Sequence, residues 1–255
     1  MTRIALFILL LLGSGSVMSQ EPSYSLPIEP SYDLPQGLPI SQERCEAVDS
    51  AAMAYFRTVN SYSPLYYGTE YEGYPRTTNH PYLIDDQYTK ARLSYQHVIY
   101  PEVLLRLDLN RNELIVRSPG FRNIVLFPGN VDFTEMHGKH IIYFQKDSLS
   151  GCPSSGYYIL LYSGNYTVLE KRNAQLMEKT SPGLLERYFD FTTRYYLLKD
   201  GIYYTIKNKQ GLLKVLHPFK KELKRFISSH RLNFKDDAEE FLILTVIEYE
   251  QLSGK

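Results

Sequence analysis

Residues 195–206 read Tyr195-Tyr196-Leu197-Leu198-Lys199-Asp200-Gly201-Ile202-Tyr203-Tyr204-Thr205-Ile206. Two runs rich in aromatic and aliphatic residues flank Asp200-Gly201, a dipeptide suited to the tight turn whose two central residues both take positive φ. The stretch predicts an antiparallel hairpin, Tyr195 to Lys199 against Ile202 to Ile206. The same grammar repeats upstream. Leu104 to Leu109 and Glu113 to Arg117 flank Asn110-Arg111-Asn112, and Tyr157 to Tyr162 and Tyr166 to Lys171 flank a turn at Gly164-Asn165. From Tyr82 to about Val215, short alternating runs separated by turn residues predict an antiparallel sheet or barrel.

Helical spacing brackets this region. Ser41 can cap a helix reaching Asn60, in which Ala47, Val48, Ala51, Ala52, Tyr55 and Phe56 recur on one face. Ser61 to Pro81, rich in tyrosine, glycine and proline, reads as a long loop. Near the other end, Pro218 opens a helix with Phe219, Leu223, Phe226 and Ile227 on one face. A second helix follows from about Asp236 to Leu252, with Asp236, Asp237, Glu239 and Glu240 at its start, as the helix dipole favours. The fold class expected is α+β: a mainly antiparallel, twisted β-sheet or partial barrel with one N-terminal helix and a C-terminal helical pair.

The first residues carry Arg3, an apolar run from Ile4 to Leu12 and small residues up to Ser19, the pattern of a secretory signal peptide with cleavage between Ser19 and Gln20. The run is far short of the roughly 20 residues that span a bilayer, so no transmembrane helix is expected after cleavage. A near-repeat follows, Glu21 to Ile28 and Glu29 to Gln36, whose prolines favour extended chain. It reads as a spacer or a docking peptide. The boundaries expected are 1–19 for the signal, 20–40 for a disordered proline-rich lead, 41–78 for helix and tyrosine-rich loop, 79–215 for the β domain and 216–255 for the helical pair.

Lysine plus arginine equals aspartate plus glutamate at 28 each, which removes the broad positive footprint of a nucleic-acid binder. The 23 tyrosines suit amphipathic β surfaces, and tyrosine platforms also bind sugars. The two cysteines, Cys45 and Cys152, belong to a chain expected in an oxidising compartment, where a disulfide is permitted. Pairing would close a loop of about 100 residues, worth roughly 4 to 5 kcal/mol in the chain-entropy account. A catalytic thiol is the alternative, but neither cysteine sits in a C-x-x-C pair or beside a histidine.

Glu135, His137 and His140 form the constellation with metal-ligand chemistry. A type II′ turn at Gly138-Lys139 would set His137 opposite His140 with Glu135 on the same face, an arrangement able to hold zinc; solvated residues at a hairpin tip are the plainer reading. Between Lys199 and Lys235 there are ten basic residues against Asp200 and Glu222, an excess able to meet anionic lipid or an acidic partner; the plainer reading is a salt-laced helical pair in which the acids from Asp236 onward answer it. The mature chain has no G-x-S-x-G, phosphate-cradling glycine loop or H-E-x-x-H, and no cofactor is implied. Asn165-Tyr166-Thr167 matches a glycosylation sequon.

Asn79 to Asp86, Phe133 to Gly138, Tyr195 to Gly201, Leu212 to Leu216 and Lys220 to Ile227 together resemble a family of uncharacterised exported proteins of Bacteroidota, a likeness covering Asn79 to Leu252. The resemblance implies a Gram-negative envelope address, periplasmic or outer-membrane-associated, and carries no catalytic residues. It makes Ser50 and Ser148, in Asp-Ser-Ala and Asp-Ser-Leu triplets, candidates for O-glycosylation. The expectation is an envelope protein with a non-enzymatic protein-binding or scaffold role, the lead and the tyrosine-rich loop serving as contacts. A β module for a small ligand or glycan is the alternative, and an enzyme of unrecognised type the remote one.

Overall fold

The computed structural model describes residues 63–146, 153–181 and 184–254, with Ala51 and Ala54. The strands are β1 Thr69–Glu70, β2 Thr89–Tyr95, β3 Val98–Asp108, β4 Glu113–Arg117, β5 Asn123–Val125, β6 Val131–Met136, β7 Lys139–Phe144, β8 Gly156–Ser163, β9 Thr167–Ser181, β10 Leu184–Lys199 and β11 Ile202–Ile206. The helices are α1 Lys209–Val215, α2 Lys220–Ser229 and α3 Ala238–Ser253. The signal segment with Ser19 and Gln20, the proline repeat, both cysteines, and the helix expected over Ser41 to Asn60 apart from two of its alanines lie outside the described residues.

All strands join one antiparallel sheet in the order β1-β5-β4-β3-β2-β6-β7-β8-β9-β10-β11. The chain thus starts its large sheet in the middle and extends it first to one side, then to the other. Leu126 to Asn130 must carry it from β5 past β4, β3 and β2 to β6. Four strand spacings amount to about 19 Å. Six residue steps reach about 20 Å only when fully extended, and Pro128–Asn130 is instead wound into a turn of 3-10 helix. The sheet therefore has to curl. It stops short of a closed barrel, because β1 and β11 remain as edges. Isolated bonds replace a closing ladder where the curl brings β9 near the β3–β4 turn. The Ala174 N–H donates to the Leu109 carbonyl at 3.2 Å and the Leu176 N–H to Asn110 Oδ1 at 3.2 Å.

The hairpins stand where the turn residues place them. Tyr195 faces Ile206 and Lys199 faces Ile202 across Asp200 and Gly201, whose φ values are 52° and 74°. Gly201 alone of the two meets that backbone without a side-chain penalty, and nothing lies within 4 Å of an added Cβ. Gly201→Ala is expected to cost about 1 kcal/mol through backbone strain, read as a shifted urea midpoint with unchanged slope. The fragments seen around Tyr166 and Tyr195 prove to be ends of one long hairpin, β9 with β10, paired from Thr167↔Leu198 to Ser181↔Leu184.

That hairpin feeds two cores. Ala174 and Phe189 pack with Leu93, Leu105, Leu114 and Ile141 inside the curl. Val168 and Leu197, nearer the other end, pack with Leu212, Leu216, Leu223, Phe241 and Val246 of the helical layer. The β reading as far as Val215 is corrected here: β11 ends at Ile206, and Asn208 caps α1 by accepting the Gly211 N–H at 2.9 Å. The cap and three leucines sharing a buried face outweigh the glycine in its first turn. α2 and α3 follow the sequence reading, and Asp237 caps α3 by accepting the Glu240 N–H. No described helix is long and apolar enough to cross a membrane.

The expected salt-laced pairing of α2 with α3 does not form, since none of the ion pairs among the described residues joins them. Their contact is apolar, and two acids of α3, Glu239 and Glu250, turn toward the sheet. Glu239 meets Lys139 and Arg172, while Glu250 accepts from the Tyr162 hydroxyl at 2.9 Å and the Tyr166 N–H at 2.8 Å.

Candidate functional site

β10 is much longer than β11, so part of its outer edge has no neighbouring strand. Hydrogen-bonding direction alternates along a strand. Tyr195 turns outward to Ile206, and Phe189 turns outward to Asn79, whose amide mimics a strand: Nδ2 donates to the Phe189 carbonyl at 2.8 Å and Oδ1 accepts its N–H at 2.7 Å. One step further, the Thr78 N–H donates to the Arg187 carbonyl. Phe191 and Thr193 lie between these anchors, and by the same alternation their N–H and C=O groups face outward with no partner among the described residues. Asn79→Ala is expected to cost about 1 to 3 kcal/mol by freeing both Phe189 groups, and amide exchange at Phe189 should accelerate in step.

A cleft of about 540 Å³ occupies the place where β11 stops. Thr193, Arg194, Tyr195 and Tyr196 of β10 line it with Thr205, Ile206 and Lys207, while Ser154 and Phe234 complete its wall. Carrying the β10–β11 register one step past Ile206 sets Lys207 opposite Arg194, and on the other side Arg194 faces Lys171 of β9. The cleft thus combines an open backbone edge with two cations, Arg194 and Lys207, and none of the described residues that line it carries a carboxylate. Tyr195 is the lining group with a displaced acidity, pushed up to about 12 by burial and then by the charges of Glu170 and Glu239.

The Glu135, His137 and His140 constellation is only partly assembled. Glu135 pairs with His140 and Met136 with Lys139, so the turn is His137-Gly138, at φ 52° and 70°, and not Gly138-Lys139. This one-residue shift leaves Glu135 and His140 adjacent, with Nδ1 to Oε1 at 3.6 Å, and moves His137 off their face into the turn. A tight turn with two positive φ values fits the sheet's twist, and glycine at the second position supports it. Among the described residues, no group of three or more His, Cys, Asp or Glu side chains converges to hold a metal.

Three polar clusters escaped sequence reasoning. Lys171 Nζ donates to Ser154 Oγ at 2.9 Å and to the Ser155 carbonyl at 2.6 Å, and lies 4.7 Å from the Tyr158 ring centre. A serine beside a lysine suggests nucleophile and base, but a general base needs a lone pair, and this ammonium is placed as a donor over an aromatic face. The second cluster joins sheet to helix. Arg172 bonds Glu170 at 2.6 Å and Glu239 at 2.9 Å, Lys139 bonds Glu239, and Glu170 is fully buried. Burial raises the Glu170 pKa against the pull of Arg172.

The third cluster anchors the tyrosine-rich loop. Buried Asp108 accepts from the Tyr71 hydroxyl at 2.8 Å and the Tyr74 hydroxyl at 2.7 Å through Oδ2, and from the Asn110 and Arg111 N–H groups through Oδ1. Arg106 lies over Tyr82 and Arg111 over Tyr74. Burial, then hydrogen bonds, raise the Tyr71 and Tyr74 pKa values well above the usual phenol range. The loop expected to offer its tyrosines as contacts therefore turns these ones inward as a strap. No family model matches the chain, and neither a curated protein nor a solved structure does.

Proposed function

We propose that this is an exported envelope protein with a non-enzymatic role, binding another protein through the open edge of β10. The observation that carries the reading is the pair of outward-facing backbone residues next to the cleft, Phe191 and Thr193, that have no partner among the described residues. A long strand edge is an aggregation hazard that proteins blunt, and Asn79 and Thr78 blunt this one as far as Phe189. The stretch beyond is left for use. The exported address rests on residues 1–19 and the envelope on the likeness to Bacteroidota proteins. An added strand gains affinity from main-chain bonds and specificity from alternate side chains.

A second reading, a small polar ligand or glycan in the cleft, is favoured by its volume and by Tyr195, Tyr196, Thr193, Thr205 and Ser154 in its lining. Crosslinking in intact envelopes followed by capture through a C-terminal tag separates the two. A stoichiometric protein partner recovered on repetition is the expected result. A clean absence, with a saccharide or small anion shifting the Tm, transfers the site to the second reading.

A further inference from the structure

We infer that the edge of β10 between Phe189 and Tyr195 takes up an extended, acidic segment of a partner protein as an added strand in line with β11. This rests on the protein-binding reading and names the partner's chemistry. The gap has a definite length. Six residue steps separate Phe189 from Tyr195, about 20 Å of strand, with Asn79 bounding one end and Ile206 the other. An extended backbone supplies donors and acceptors at the two-residue spacing that Phe191 and Thr193 present.

Charge selects the segment. Arg194 faces the position of Lys207 with both side chains lining the cleft, and neither has a carboxylate partner among the described residues. Like charges placed side by side repel, so an incoming carboxylate relieves that repulsion. The nearest acid on this side of β10, Asp190, is four residues from Arg194, about 13 Å along the strand. On the opposite face Phe191, 46% exposed, offers an apolar contact to an alternate side chain of the added strand.

The test uses the full exported chain and a fluorescein-labelled short peptide of alternating threonine and valine carrying two aspartates, followed by anisotropy. The acidic peptide is expected to bind at least about tenfold more tightly than the same peptide with lysines in place of the aspartates. The double substitution Arg194→Glu with Lys207→Glu should invert that preference. Thr193→Pro removes an outward N–H without touching the β9 ladder and should weaken binding about tenfold or more. Backbone N-methylation of the peptide at alternate residues should do the same with the protein unaltered. Equal affinity for acidic and basic peptides, or indifference to both backbone blocks, overturns the proposal. So does self-association abolished by Thr193→Pro, which would give the edge to a second copy. A partner captured from envelopes as well by the Thr193→Pro and charge-reversed chains as by the natural one overturns strand addition while leaving protein binding intact. Peptide binding as expected without any captured protein supports the edge chemistry and removes the envelope partner.

Discussion

Asp108→Ala is expected to destabilise the protein by about 3 to 5 kcal/mol, because it strips the acceptor from four donors at once and leaves buried polar groups unsatisfied. Two of those donors are the Tyr71 and Tyr74 hydroxyls, which hold the loop before β2, and two are N–H groups that shape the turn after β3. The loss thus loosens strap and turn together. Asp108→Asn keeps one carbonyl acceptor and should cost less, about 1 to 2 kcal/mol, since a tyrosine hydroxyl can rotate to accept from the amide. Urea denaturation measures both. Ultraviolet titration supplies an independent check. In the natural protein Tyr71 and Tyr74 resist ionisation through burial and their bonds to Asp108. In the alanine variant they should ionise closer to the ordinary phenol range. A small stability loss with unchanged tyrosine titration would show that the strap is held by packing alone.

Arg172→Met should cost about 3 to 5 kcal/mol near neutral pH, because it leaves the Glu170 carboxylate buried without its bonded partner. Adding Glu170→Gln should restore most of the loss, since an amide carries no charge to desolvate. The pH dependence has a definite sign. Glu170 has its pKa raised in the fold, mainly by burial, so the folded state holds that proton more tightly than the unfolded chain. The stabilisation linked to it is complete below the unfolded carboxyl value, about 4.3. It is lost as pH climbs from there through the raised folded value, and is level above. Arg172→Met should steepen that loss, and the double variant should flatten it. Urea midpoints across this pH range give both results, and a double variant no better than the single one would remove Glu170 as the cause.

Much of the fold was legible because its turns carry their own chemistry. Asp200-Gly201 announces positive φ, and Asn110 to Asn112 and Gly164-Asn165 mark the other hairpins. The curl was not legible, since it follows from a short link between β5 and β6 that matters only once the strand order is known. α1 was hidden because Gly211 weakens a short helix whose support is a cap at Asn208 and burial of Leu212, Leu213 and Leu216. The turn at His137 was read one residue late because Gly138 suits the first position of one hairpin turn and the second position of another. Asp108 is a single polar letter at the end of an apolar strand, whose tyrosine partners lie 34 and 37 residues away, while Glu170 and Arg172 belong to a polar run, Glu170 to Asn173, that reads as a solvated face until Glu239, 67 residues from Arg172, is brought to it. The open edge had a faint signal in the unequal runs either side of Asp200-Gly201, the first extending back past Phe191.

Photo-crosslinking in intact cells shows whether the β10 edge meets a partner. A benzophenone amino acid placed at Phe191 is compared with one at Phe121, which is 76% exposed in the turn between β4 and β5. A discrete protein adduct from position 191 that is absent from position 121 is the result expected here. No adduct from position 191, or the same adducts from both positions, would contradict it.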